Sequence, residues 1–516
     1  MHASLCDKFG HRPGTRTRMY PTPRSDLAPN TLEFESLPFI RHEGFREYDV
    51  RWLYPDEINL FGVHLLGVAL ANRLAEIGTA AVVVGNDFRS YSSAIKSALV
   101  TGLMAGGAAV HDIGLALSPM AYFAQFDLGV PGVAMVTASH NENGWTGVKM
   151  GASPPLTFGP DEIALLGERI FAGEVKAAPG GSYRFVEGNA ERYMNDLVAR
   201  APFARKLKAV VACGNGTAGP FAPRVLEALG VEVVRLDCEL DHTFPNYNPN
   251  PEDLAMLEAV ARAVTGSGAD IGLAFDGDGD RCGVVDNEGH EIFADKVGVL
   301  IARDLSAAHG DARFVVDVKS TGLFLTDPVL IANGAKTEYW KTGHSHIKRR
   351  SFEVGALAGF EKSGHYFFNP PLGRGYDDGL VSAIAVLDML DHDRQSSMAD
   401  LVGSLPRTWG TPTMSPHCPD DRKYGVVDRA VKHFLGLAGK GERLAGQKVR
   451  ETVTVNGIRI VLEDGTWGLI RASSNKPELV VVAESPASED NMRAMFAVID
   501  NWLTDQPEVG DYNQKI

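Results

Sequence analysis

Ala80-Ala81-Val82-Val83-Val84-Gly85-Asn86-Asp87 reads as an apolar, β-branched strand that runs into a polar loop opened by a glycine. The pattern returns at Val210-Val211-Ala212-Cys213-Gly214-Asn215-Gly216-Thr217 and at Phe314-Val315-Val316-Asp317-Val318-Lys319-Ser320, at intervals of a little over a hundred residues. Helical stretches follow each, at 92–105, 220–229 and 328–333, the last with Asp327 as its cap and Pro328 at its first position. Strands alternating with helices build mixed α/β layers, so the recurrence predicts an α/β fold of three similar mixed domains in series. The tail of the chain differs. Residues 451–460 and 469–485 alternate or run apolar on either side of the turn signal Asp464-Gly465, and a helix over 489–503 follows, which predicts a smaller C-terminal α+β domain. The expected divisions are 1–38, 39–200, 201–308, 309–405 and 406–516, the last falling after a helix over 380–390, near Leu405-Pro406-Arg407-Thr408.

A chain of 516 residues is too long for one core and has room for these domains. Its composition, 44% hydrophobic and 22% charged, is that of a globular protein, and no apolar run approaches the roughly 18 residues that span a bilayer. No membrane association is expected. The net charge of −15 argues against nucleic-acid or anionic membrane partners, although an acidic protein can still hold a locally positive cleft for an anionic substrate. Five scattered cysteines without a CxxC pair point to reduced thiols and a cytoplasmic setting. Residues 1–38 are rich in Arg and Pro and lack an apolar signal region, so a disordered extension is expected there.

The densest chemistry lies at Ala274-Phe275-Asp276-Gly277-Asp278-Gly279-Asp280-Arg281. Three carboxylates alternate with glycines just past an apolar strand. An extended exit from that strand would put residues i, i+2 and i+4 on one side, where three hard oxygen ligands suit Mg²⁺. A calcium EF-hand loop fits poorly, because its sixth position would be Arg281 and its twelfth Asn287. Thr137-Ala138-Ser139-His140-Asn141-Glu142-Asn143-Gly144 also follows an apolar strand, where a serine is placed to act as a nucleophile or phosphate carrier. By itself such a serine more often closes a turn. Lys149 lies ten residues on and is available for the reacting oxygens.

Three further loops carry polar groups. Lys341-Thr342-Gly343-His344-Ser345 sets a Lys and a His beside a glycine, and Glu361-Lys362-Ser363-Gly364-His365 offers a carboxylate, a hydroxyl and an imidazole at alternate positions, a spacing that suits sugar hydroxyls. Arg471-Ala472-Ser473-Ser474-Asn475-Lys476-Pro477 combines two cations with three polar side chains and would bind phosphate through charge-assisted hydrogen bonds.

Together these loops resemble the α-D-phosphohexomutases, most closely the bacterial phosphomannomutase/phosphoglucomutase branch. The serine loop, the Asp-Gly-Asp-Gly-Asp-Arg run, the Glu361–His365 loop and the Arg471–Pro477 loop match in the family's order, as does Phe45-Arg46-Glu47-Tyr48-Asp49-Val50-Arg51, and the resemblance covers about residues 40–505. It implies four domains around a central cleft, a phosphoserine at Ser139, and Mg²⁺ held by its phosphate with Asp276, Asp278 and Asp280. It implies that Arg51, His140, Lys149 and Arg281 surround the reacting phosphoryl group and that Lys341 and His344 serve the third domain. Glu361, Ser363 and His365 would meet the sugar hydroxyls; Arg471, Ser473, Ser474 and Asn475 would grip the non-reacting phosphate. The chain departs from the family pattern at Trp52, at Lys362 and at Ser473-Ser474-Asn475, positions that bear on sugar preference rather than on phosphoryl transfer.

The expected function is interconversion of hexose 6-phosphate and hexose 1-phosphate (mannose or glucose) by a monomer or homodimer whose partners are small sugar phosphates. The alternatives are a phosphoglucosamine mutase, a Mg²⁺-dependent phosphatase, and a catalytically silent sugar-phosphate sensor on the same fold.

Overall fold

The structure is a computed structural model that describes residues 20–514. In the first unit the strands Ala81–Asn86, Ala109–Leu115 and Gly132–Val136 are parallel, and Trp145–Gly151 returns antiparallel to the third. The second unit repeats this with Lys208–Ala212, Glu232–Leu236, Ile271–Phe275 and Cys282–Asp286. The third repeats it again with Arg313–Asp317, Lys336–Trp340, Ala358–Phe360 and Tyr366–Phe368. Each time the first strand is flanked by the second and third, and the fourth folds back on the third. The sequence recurrence is therefore a recurrence of topology.

That topology places the chemistry. The turn joining the third strand to the fourth carries Ser139 in the first unit, Asp276–Asp280 in the second and Glu361–His365 in the third. The loop after the first strand opens at the same sheet end, where ligands gather in α/β folds. A continuous apolar core runs through the three units, from Met120 and Tyr122 through Val211 and Phe275 to Phe360 and Leu387. The fully buried central strands explain their unbroken apolar runs.

The last unit is an antiparallel sheet in the order Trp409–Gly410, Leu479–Ser485, Trp467–Ala472, Ile458–Leu462, Gln447–Val453, Arg443–Leu444. Helices Asp420–Gly439 and Glu489–Thr504 cover one face through Val426, Phe434, Met495 and Ile499. The other face, with Trp467, Leu469 and Val480, packs on Val318 of the third unit.

Two expectations are corrected. Residues 20–38 are folded onto the first unit: Thr31 caps the helix Leu32–Ser36, and Leu27, Phe34 and Phe39 form a buried cluster. Asn59 holds them there, donating to Leu37 O at 2.8 Å and accepting from Phe39 N at 3.0 Å. The expected extension over 1–38 survives as an expectation only for residues 1–19, which lie outside the described residues. The apolar stretch 451–460 is two strands rather than one, because Asn456-Gly457 turns the chain, with Gly457 at φ 74°.

Candidate active site

Ser139 is buried and sits in the left-handed region at φ 51°. Thr137 fixes the turn by accepting from Ser139 N at 2.9 Å. From the first-strand loop of the same unit, Arg89 donates to Ser139 O at 3.0 Å and to Asn141 O at 2.6 Å. The Ser139 hydroxyl is thereby aimed at the second unit, where it donates to Asp276 Oδ2 at 3.0 Å; the ring of His140 lies 3.4 Å from the same Oγ. Gly277 makes the approach possible, since a Cβ there would lie 2.5 Å from Ser139 O.

The acidic run is a tight turn and not the extended exit expected. Gly279 is at φ 71°, and Asp276 Oδ1 accepts from the backbone N–H of Asp280 at 3.1 Å. The turn still gathers one oxygen from each of Asp276, Asp278 and Asp280 within 4.8 Å of one another. All three units brace it: Ser118 N donates to Asp278 O, Thr217 N to Gly277 O and Gly379 N to Gly279 O, at 2.9, 3.2 and 3.0 Å. Lys149 reaches Asp278 at 2.8 Å and also bonds Asp280; Arg281 Nε donates to Asp276 at 3.1 Å. Burial and the neighbouring Asp280 push Asp276 up to about 7, whereas Lys149 and Ser118 outweigh burial at Asp278 and hold it low. Asp278 Oδ1 and Asp280 Oδ1 are fully buried without a hydrogen-bond partner. Three buried carboxylates, two of them with an unpaired oxygen, fit a hard divalent cation, whose charge would also draw Asp276 into its ionised form.

Ser139, His140 and Lys149 of this cluster line a cleft of about 490 Å³, and the three carboxylates they touch are fully buried. Arg51 and Arg281 line it from the first two units; Arg51 is paired to Asp49 at 2.8 Å and donates to Ala138 O at 2.6 Å. The third unit contributes His344, Glu361, Ser363 and His365. Glu361 accepts from Gly343 N at 2.9 Å and from Ser363 Oγ at 3.0 Å, so the carboxylate and hydroxyl form one polar edge. The fourth contributes Arg471, Ser473, Ser474 and Asn475 from the turn between its third and second sheet strands. Arg471 donates to Ser474 at 3.1 Å. Burial, then the charges of Arg281 and Arg51, lower the pKa of His140, and burial lowers that of His344. At His365 the carboxylates of Asp280 and Asp377 overcome burial and raise it.

Every sequence-expected side chain therefore lines the cleft or touches a residue that does, except Lys341, which is exposed and is not part of the lining. Two lysines of the third unit do line the cleft, Lys319 in the loop after the first strand and Lys362 in the Glu361–His365 turn. The Lys362 ammonium is held by Asp295 at 3.2 Å.

Four sequence models of one protein family match successive parts of the chain. They are described as phosphoglucomutase/phosphomannomutase α/β/α domains I, II and III, over residues 42–176, 191–289 and 293–409, and the C-terminal domain, over 420–501. The chain belongs to the phosphoglucomutase/phosphomannomutase family. A phosphomannomutase/phosphoglucomutase of Pseudomonas putida is 34% identical over 465 residues, covering 90% of this chain and 96% of the relative. A phosphoglucomutase of Neisseria meningitidis serogroup A is 33% identical over 467 residues, covering 90% and 98%. The crystal structure of a phosphoglucomutase/phosphomannomutase family protein from Burkholderia thailandensis superposes with a TM-score of 0.81 at 30% identity, covering 92% of this chain and 100% of that one.

Within this family architecture several supporting residues had no sequence signature. Ser118 donates to Asp278 at 2.6 Å from a helix start in the first unit, and Asp377 holds His365 Nδ1 at 3.0 Å while pairing with the fully buried Lys348 at 2.8 Å. Lys319 did carry a signal, since its loop is the third-unit counterpart of the one that bears Arg89. Among the described residues no helix is long and apolar enough to cross a membrane, and Cys213, Cys238, Cys282 and Cys418 are free thiols.

Proposed function

We propose that the protein interconverts hexose 6-phosphates and hexose 1-phosphates of the glucose and mannose type through a phosphorylated Ser139 and a bisphosphorylated sugar. The observation that carries this reading is the 3.0 Å contact between the Ser139 hydroxyl and Asp276. It joins a serine of the first unit to the three-carboxylate turn of the second, on the floor of a cleft whose far wall is the Arg471 loop. A covalent carrier, an acidic cage and several cations are what phosphoryl transfer asks for, because it depends on positioning and charge stabilisation.

In the proposed cycle the bond from Ser139 Oγ to phosphorus breaks as the free sugar hydroxyl bonds to phosphorus, and the hydroxyl proton passes to an imidazole of the cleft, from His140, His344 or His365. Arg51 and Arg281 balance the charge on the transferring oxygens. The bisphosphorylated sugar then turns end over end, and its other phosphate returns to Ser139. Glu361 and Ser363 hold sugar hydroxyls in both orientations, while Arg471, Ser473, Ser474, Asn475 and Lys476 grip whichever phosphate is not reacting. Magnesium, held by Asp276, Asp278, Asp280 and the Ser139 phosphate, would supply charge neutralisation at the phosphoryl oxygens. In this reading the enzyme works in the cytoplasm as a monomer or homodimer, which the scattered, unpaired cysteines Cys213, Cys238, Cys282 and Cys418 support only for the compartment.

Intact-mass spectrometry should show a partial phosphate adduct that maps to the Ser139 peptide, and a coupled assay should turn over glucose 1-phosphate and mannose 1-phosphate. Ser139→Ala should lose the adduct and fall to background turnover while keeping its melting temperature within a few degrees. Net release of inorganic phosphate without mutase product would instead indicate a phosphatase.

A further inference from the structure

The fourth unit meets the rest of the molecule in two chemically different ways. Against the third unit the contact is dry: Arg459, 2% exposed, stacks on Tyr339 and Trp467 and donates to Val318 O and Ser320 O, both at 2.7 Å. Glu484 accepts there from Thr321 Oγ1 and Gly322 N, at 3.0 and 2.8 Å. Across the cleft mouth, against the first unit, the contacts are polar and partly solvated. Arg46 donates to Asp420 at 3.1 Å, and Asp420 accepts in turn from Lys423, whose ammonium also donates to Lys476 O in the phosphate-gripping loop at 3.0 Å. Glu47 accepts from Tyr424 OH of the fourth unit at 2.6 Å and lies 3.6 Å from His346 of the third. Burial would raise the Glu47 pKa, but His346, Tyr424 and the nearby Arg471 charge outweigh it and hold the group at about 2.

Water replaces polar contacts of the second kind at small cost, whereas the buried stack of the first kind cannot part without exposing a desolvated cation and two aromatic faces. The mouth is therefore where the cleft opens, and the Arg459 side is where it pivots. We propose that Glu47 is a positioning residue that joins the first, third and fourth units and, with Arg46, clasps the fourth unit over the cleft while the bisphosphorylated sugar turns. The proposal rests on the mutase reading. If the clasp fails mid-cycle, the intermediate leaves with both phosphates and Ser139 is left as a free hydroxyl, unable to start another cycle until a sugar bisphosphate rephosphorylates it.

Glu47→Ala, Glu47→Gln and Tyr424→Phe test this. During turnover of glucose 1-phosphate alone, Glu47→Ala should lose its Ser139 phosphate about tenfold faster than the wild type, the factor that one lost charge-assisted hydrogen bond supplies. Its rate should decay accordingly and return to within about twofold of wild type when glucose 1,6-bisphosphate is added. Tyr424→Phe should show the same defect to a smaller degree, and combining it with Glu47→Ala should add nothing. Glu47→Gln, still able to accept from Tyr424, should recover part of the loss. Phosphate retention equal to wild type in Glu47→Ala, or a defect that bisphosphate does not relieve, would overturn the clasp. If the wild type shows neither phosphoserine nor mutase turnover, it is the functional reading that fails. The clasp is then judged by small-angle scattering, where it requires a larger radius of gyration in Glu47→Ala, and an unchanged radius would refute it.

Discussion

Gly277 shows how finely single residues set this site. Its missing Cβ lets the acidic turn touch the carbonyl of Ser139, and a methyl group placed 2.5 Å from that oxygen has to push the two loops apart. Gly277→Ala should lower kcat about 10²-fold, the usual result of an ångström-scale misplacement, with the unfolding midpoint little changed; equal losses of activity and stability would contradict this view. At this scale the residues that carry the chemistry were legible, because each lies in a short polar run at a strand end and the run has a composition of its own. Ser118, Arg89, Lys348 and Asp377 were not. They act through partners in other elements or loops, and no local pattern separates them from ordinary cap or surface residues. Lys341 was misread for a related reason: a loop's sequence places a lysine near the sheet end but does not tell which side of the loop faces the cleft.

Among the elements, the strands that announced themselves were those buried on both faces, such as Val82–Val84 within Ala81–Asn86 and Phe314–Val316 within Arg313–Asp317. The helix Pro328–Ala332 begins where Asp327 and Pro328 predict it to, since Asp327 accepts from Val329 N and Leu330 N. The hairpin at Asn456-Gly457 was hidden because apolar residues continue through it, even though Asn-Gly is a strong two-residue turn signal. The strand Ile458–Leu462 that follows this hairpin carries Arg459, whose stack on Tyr339 and Trp467 ties the fourth sheet to the loop that presents Lys319. Arg459→Ala removes that stack and leaves two backbone carbonyls without their donor. It should cost about 3 kcal/mol in denaturant unfolding and raise KM more than it lowers kcat. A variant as stable as wild type would mean that the pivot lies elsewhere.

At the level of the whole molecule, three repeats of one topology and a fourth, antiparallel unit each lend one turn to a single cleft. The site is locally rich in cations although the chain carries a net charge of −15, as an anionic substrate requires. Recurrent strand-and-loop patterns made the number of units readable; their mutual arrangement was not, because side chains such as Glu47, Tyr193 and Arg459 fix it through partners in other units. That one chain supplies every wall of its own cleft has a genetic corollary. Two copies damaged in different units cannot repair each other. Mixing Ser139→Ala chains with Arg471→Ala chains, at a substrate level where each alone is slow, should give no more than the summed activity of the two. In a cell carrying both alleles the defects should fail to complement, even if the protein forms dimers. Recovery of activity in the mixture would mean that neighbouring chains exchange their fourth units.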